Sequence, residues 1–174
     1  ILACGAWLGQ TLEPLGFEVD VRPQKGQLRD YFFEGMDTGR LPVLMPEGEL
    51  DVIPFAGGKI SVGASHENDQ GFDLTVDETV LASLEEEAKT YFPDLSTAKS
   101  FSERVGTRAY TSDFSPFFGE VPELESVFVA SGLGSSGLTT GPLIGKNLVE
   151  LAMNRPGSLD SADYPVAQYV KKKD

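Results

Sequence analysis

A chain of 174 residues, 40% of them hydrophobic and 10% aromatic, can bury a core without disulfides or a structural metal. Fourteen basic residues against 27 acidic ones give a formal charge of −13, which argues against a phosphate-backbone partner and so against nucleic acid; no apolar run approaches a transmembrane segment. The single Cys4 excludes an internal disulfide and a zinc cluster, the single His66 excludes a multi-histidine metal site, and a reducing, cytoplasmic setting fits this composition.

In chain order, Ile1 to Cys4 is apolar and reads as a buried strand that turns at Gly5. Such a strand needs neighbours on both sides, and with no starting methionine and no basic n-region the chain reads as a fragment that begins mid-fold. Ala6 to Leu15 follows as a short helix with Trp7, Leu8, Thr11, Leu12 and Leu15 along one side, ended by Gly16. Alternation at Phe17, Val19 and Val21, then from Gln27 to Phe33, predicts long strands interrupted over Arg22 to Gly26, where Pro23 removes a ladder donor. Leu41 to Met45 and Leu50 to Phe55 flank a hairpin signal, Pro46-Glu-Gly-Glu49. Ala56-Gly-Gly58 then separates the second run from Lys59 to Gly63, completing an antiparallel meander.

Thr75 and Glu78 have the capping-box spacing and open a helix with an apolar stripe of Val80, Leu81, Leu84, Ala88, Tyr91 and Phe92; Pro93 stops it. Glu85, Glu86 and Glu87 on this helix read as a solvated face in preference to a metal site. His66, beside Glu67, reads as a surface or capping residue. Ala98 to Thr111 alternates and forms a strand carrying Arg104 and Arg108, and Val127 to Ala130 is a short buried strand. Glycines at 132, 134 and 137 then bring the backbone round into a helix over 137–153, with Leu138, Pro142, Gly145, Leu148 or Val149, and Ala152 on one face. Its N-terminus presents N–H groups and the positive end of a dipole. Gly132-x-Gly134-x-x-Gly137 matches the dinucleotide fingerprint, but no second strand with an acidic end follows about twenty residues later, so an ordinary nucleotide fold built from this segment is disfavoured. Lys171 to Lys173 reads as a frayed tail. The sum is an α+β fold with a mainly antiparallel (mixed) sheet and flanking helices.

Four segments in order carry a family resemblance: Ile1-Leu-Ala-Cys-Gly-Ala-Trp7, Val21-Arg-Pro-Gln-Lys-Gly-Gln27, Gly106-Thr-Arg-Ala-Tyr-Thr-Ser-Asp-Phe-Ser-Pro-Phe-Phe-Gly119, and Val129-Ala-Ser-Gly-Leu-Gly-Ser-Ser-Gly-Leu138. With these the chain resembles the FAD-dependent amine and amino-acid oxidases, which include D-amino-acid oxidase, glycine oxidase and sarcosine oxidase. The resemblance implies that residues 1–15 end a flavin-domain segment, 17–105 form the substrate-binding domain, 106–153 return to the flavin domain, and 154–174 are a C-terminal tail. It implies FAD as cofactor, with the main nucleotide-binding unit in an N-terminal region of the same protein that this sequence does not contain, and so a fragment that by itself does not turn over. The implied substrate is a small amino acid or secondary amine of the glycine, sarcosine or D-amino-acid class, oxidised by hydride transfer from its α-carbon to the flavin, with no general base required.

By the same resemblance, Arg108 of the Gly-x-Arg motif clamps the substrate carboxylate, for which a planar guanidinium suits bidentate pairing. For Tyr31 and Tyr110 core packing is the default reading, with a place at the border of the substrate pocket as the functional alternative for each. Gly132, Gly134, Ser135, Ser136, Gly137 and Leu138 face the isoalloxazine ring and Gly5 is a further cofactor-binding residue, while Trp7 packs, with contact to the nucleotide half of FAD as its alternative. Two departures stand out: Ala109 occupies a position where proline commonly follows the arginine, and Ser135 one where some relatives carry a basic residue. A dehydrogenase of the same family, passing electrons to a quinone or partner protein, and a non-catalytic binding module are the rival readings. Homo-oligomerisation stays open.

Overall fold

The computed structural model describes residues 1–173. In chain order it contains a 3-10 turn Gly5–Trp7, helix α1 Leu8–Leu12 and a 3-10 turn Glu13–Leu15; strands β1 Phe17–Val19, β2 Arg22–Phe32, β3 Asp51–Phe55 and β4 Lys59–Gly63; and helix α2 Glu78–Tyr91. Strands β5 Lys99–Tyr110, β6 Phe117–Glu120 and β7 Phe128–Ser131, helix α3 Gly137–Ala152, helix α4 Val166–Tyr169 and strand β8 Val170–Lys172 complete it. The fold is α+β with antiparallel pairing. Two compact units divide the chain: Ile1–Gln24 with everything from Arg108 onward, and Lys25–Thr107. The changes of unit fall at 24/25 and 107/108.

In the second unit a four-stranded sheet has the order β3-β4-β2-β5. The β3–β4 hairpin runs from Asp51 opposite Gly63 to Phe55 opposite Lys59, and its turn uses Gly57 and Gly58 at φ 77° and 79°, as the glycine pair predicts. The first arm of the other expected hairpin is no strand. Only Leu44 pairs, bridging to Val52, because Pro42 and Pro46 on either side of it bring no N–H to a ladder. Strand β2 runs straight through the expected break at Arg22 to Gly26. Its register with β4 begins at Leu28, so the missing N–H of Pro23 removes no bond of that ladder. Tyr31, Phe33, Val52, Ile60 and Val62 of the sheet pack with Leu84 and Ala88 of α2.

Asp77, not Thr75, caps α2: its carboxylate accepts the N–H groups of Thr79 and Val80 at 2.8 and 3.3 Å, whereas the Thr75 hydroxyl donates to Asp73 at 2.7 Å. Tyr91 is exposed rather than part of the buried stripe. Glu85 is not simply solvated, for it accepts the Tyr31 hydroxyl at 2.8 Å and lies 2.9 Å from Lys89. Among the described residues no group of three or more His, Cys, Asp and Glu side chains is arranged to hold a metal ion, and no helix is long and apolar enough to cross a membrane. The His66 backbone N–H donates to Glu49.

The segment between β4 and α2 is fastened by polar groups in place of an apolar core. Lys25, 3% exposed, exchanges backbone bonds with Glu67 and holds Asp73 at 3.2 Å, and the Gln27 side chain bridges Glu67 and the Asp77 N–H. The hydroxyl and N–H of Thr75, then Lys25, hold the Asp73 carboxyl down at about 2. A carboxyl lowered in the folded state stabilises it fully above the ordinary value near 3.8 and progressively less as pH falls to about 2. We expect Asp73→Asn to lower the melting temperature at neutral pH and the gap from wild type to close over that acid window. A gap of constant size down to pH 2 would rule out the carboxylate as the fastening.

In the first unit β1 pairs with β8 and β6 with β7. Leu8, Leu12, Phe17, Phe117, Val129, Val166, Tyr169 and Val170 share one core. Each such fully buried side chain contributes about 1.5–3 kcal/mol. The expected frayed tail over Lys171 to Lys173 is corrected: Lys171 and Lys172 lie in β8 opposite Glu18 and Phe17, the Lys173 N–H donates to the Gly16 carbonyl at 2.8 Å, and Lys172 pairs with Glu123 at 3.0 Å, while just before them Tyr169 stacks on Phe117 with centroids 4.8 Å apart. The expected strand over 1–4 reduces to one parallel bridge between Leu2 and Val129, and Cys4 is half-buried. On α1 the core takes Leu8 and Leu12 while Trp7 and Leu15 are exposed; Gly16 at φ 82° ends the helical stretch as predicted. Helix α3 buries Ile144, Asn147 and Leu148, not Leu138. Asn147 can occupy the buried face because its side-chain oxygen accepts the N–H groups of Ser158 and Leu159 at 2.7 and 2.8 Å, and its NH2 group donates to the Leu143 carbonyl at 2.8 Å.

Candidate functional site

Strand β5 ends with Arg108 and Tyr110, two residues apart and so on one strand face, both half-buried. The loop that follows is an Asx-type turn organised by Asp113. Its carboxylate accepts the Ser115 N–H at 3.1 Å and the Tyr169 hydroxyl at 2.9 Å, while the Thr111 hydroxyl donates to the Ser115 carbonyl at 2.8 Å. The Ser115 N–H first, then the Tyr169 hydroxyl, hold the Asp113 carboxyl below the usual carboxylate range.

Strand β7 delivers the glycine turn onto this loop. Gly132 sits at φ 76°, and a Cβ there would stand 2.8 Å from the Ser115 carbonyl oxygen; Gly134 sits at φ 52°, and a Cβ there would stand 2.7 Å from the Tyr110 ring. The Tyr110 ring thus packs directly on the turn, and Phe114 meets that ring edge-on with centroids 5.3 Å apart. The Ser131 hydroxyl donates to the Gly5 carbonyl at 3.0 Å, which brings the Gly5–Trp7 turn to the same end of β7.

Beyond Gly134 a 3-10 turn leads into α3. Its N-terminus carries no side-chain cap and no acidic residue in its first turn. Ser135 and Ser136 are exposed, Gly137 is half-buried, and Leu138 is 95% exposed. Of the predicted site residues, Gly5, Trp7, Tyr110, Gly132, Gly134, Ser135, Ser136, Gly137 and Leu138 are gathered at this end of the first unit, with Arg108 entering it on β5. Tyr31 is elsewhere: it is 2% exposed in the core of the second unit and its hydroxyl is committed to Glu85, with burial, then that bond, raising its pKa. That is core packing, the default reading for it, and not the border of a substrate pocket. Sequence reasoning missed Asp113 and Phe114. The Thr-x-Asp-x-Ser spacing over Thr111, Asp113 and Ser115 was a usable turn signal for the first; no periodicity marks the second.

A family model described as FAD-dependent oxidoreductase matches residues 1–151. The chain belongs to that family. Among curated relatives it is 38% identical over 168 residues to the uncharacterized oxidoreductase YurR of Bacillus subtilis, covering 96% of this chain and 45% of that protein. It is 30% identical over 167 residues to the glycine oxidase of Pseudomonas aeruginosa, with the same two coverages of 96% and 45%. The crystal structure of iminodiacetate oxidase from Chelativorans sp. BNC1 superposes with a TM-score of 0.90 at 32% identity, over 94% of this chain and 44% of that one. The chain spans about 45% of the length of these curated relatives.

Proposed function

We propose that this chain supplies the carboxylate-binding arginine and the flavin-facing turn of an enzyme that oxidises a small amino acid or secondary amine. The observation that carries the reading is the contact of Tyr110, two residues beyond Arg108 on one strand face, with the Gly134 turn that opens α3. The names of two relatives, glycine oxidase and iminodiacetate oxidase, support a substrate that joins an amine to a carboxylate. In this reading 17–105 serve as the substrate-binding domain, and 1–15 with 106–153 belong to the flavin domain.

The residues present fit FAD. An exposed apolar Leu138 and exposed Ser135 and Ser136 could hold an aromatic ring with polar edges, and the uncapped, acid-free start of α3 offers N–H donors and a positive dipole end to negative charge. When bound, FAD supplies the two-electron oxidant. Arg108 pairs with the carboxylate and orients the α-carbon, Tyr110 walls the substrate, and no side chain is required as a base. Because the relatives are more than twice as long, we further propose that the adenosine and pyrophosphate of FAD are held by another part of the protein, and that this chain alone does not turn over.

The test is the visible spectrum of the full-length, FAD-loaded protein before and after anaerobic addition of glycine, sarcosine, D-alanine and D-proline. Bleaching of the flavin by at least one of them is expected. A yellow protein that none of them bleaches would count against amine oxidation.

A further inference from the structure

Phe114 is left unexplained by core packing. The residue is 69% exposed, and its backbone holds φ 61°, a left-handed conformation that phenylalanine rarely adopts and glycine adopts freely. The loop fixes it there: the Phe114 N–H donates to the Thr111 carbonyl at 3.2 Å, and the next N–H, that of Ser115, donates to Asp113. The ring is not splayed into solvent at random, since it stands at 76° to Tyr110, edge to face, and Tyr110 packs on Gly134. A bulky residue held where the backbone favours glycine, next to a substrate-binding candidate, is the kind of local strain that clusters at functional sites.

We propose that Phe114 determines substrate specificity: with Tyr110 it forms an aromatic wall beside Gly134 that favours amines bearing an apolar substituent on the nitrogen or α-carbon over glycine. The assignment rests on the amine-oxidising reading above. An apolar substituent gains dispersion contact and leaves water against two rings, whereas glycine has nothing to place there. Substrate choice along this wall is therefore set by how much apolar surface the substituent offers.

The experiment compares kcat/KM for glycine, sarcosine, D-alanine and D-leucine in the full-length, FAD-loaded wild type and in Phe114→Gly, which accepts the same φ without strain. Loss of one aromatic contact should reduce the preference for the favoured apolar-substituted amine over glycine by about 3- to 10-fold, while Phe114→Tyr keeps it. Phe114→Asn, also tolerant of this φ, replaces the glycine variant if that one expresses poorly. An unchanged preference in a folded variant with a normal flavin spectrum overturns the assignment, as does an equal loss for every substrate accompanied by weaker FAD binding. A wild type that oxidises none of the amines overturns this assignment together with the reading beneath it; turnover with an unchanged preference overturns this assignment alone.

Discussion

Replacing Arg108 with alanine is expected to raise the KM for a carboxylate-bearing substrate by about 10- to 1,000-fold in the full-length enzyme, since a charge-assisted pair contributes several kcal/mol. Arg108 stands at the end of β5, half-buried, where bulk water screens a pair less than on an open surface. Its role as a clamp makes a second demand: Arg108→Lys keeps the charge and loses the planar fork, so its KM should lie between wild type and alanine. The flavin spectrum should stay as in wild type in both variants, which separates lost substrate binding from a lost fold. An unchanged KM in Arg108→Ala would leave the residue a structural cation and remove it from the site.

The second large effect is expected from Gly134→Val. Two obstacles meet at this residue, a φ of 52° that a β-branched side chain adopts only at a cost of about 1–2 kcal/mol, and a Cβ that would stand 2.7 Å from the Tyr110 ring. The crowded atoms belong to the far end of a side chain, so the fold can yield by turning Tyr110 away. The site cannot yield so easily, because the turn and Tyr110 are two of its parts. We expect a shifted flavin spectrum and FAD binding weakened by about tenfold or more, with a smaller loss of melting temperature. Tyr110→Ala should relieve the crowding, so that the two substitutions together affect stability less than the sum of their separate effects. Loss of soluble protein, with normal flavin spectra in what survives, would instead assign Gly134 to folding. Gly132 already carries that burden: its neighbour is the Ser115 backbone carbonyl, 2.8 Å from where a Cβ would be, and no rotamer change can move it.

How far the sequence reaches can be judged residue by residue. The β3–β4 hairpin, the helix ended by Phe92 and Pro93, the αL stop at Gly16 and the strand, glycine turn and helix from Phe128 to Ala152 were all legible, as were the α+β class and the family. Each of these depends on neighbours within a few residues: glycine's access to positive φ, proline's missing donor, and the periods of strand and helix. The motif that carries Arg108 and Tyr110 was equally plain, because it is contiguous.

What tertiary structure alone decided is which surface covers each side chain. Val170 joins the core through its pairing with Val19 of β1, about 150 residues earlier; Asn147 is buried where an apolar stripe pointed to Leu138; Tyr31 commits its hydroxyl to Glu85; and Phe114 meets Tyr110, which packs on Gly134. Periodicity states that a face is apolar but not what lies opposite it. The partner is chosen by contacts between residues far apart in the chain, whose free energy depends on packing and on satisfied hydrogen bonds that no local pattern records.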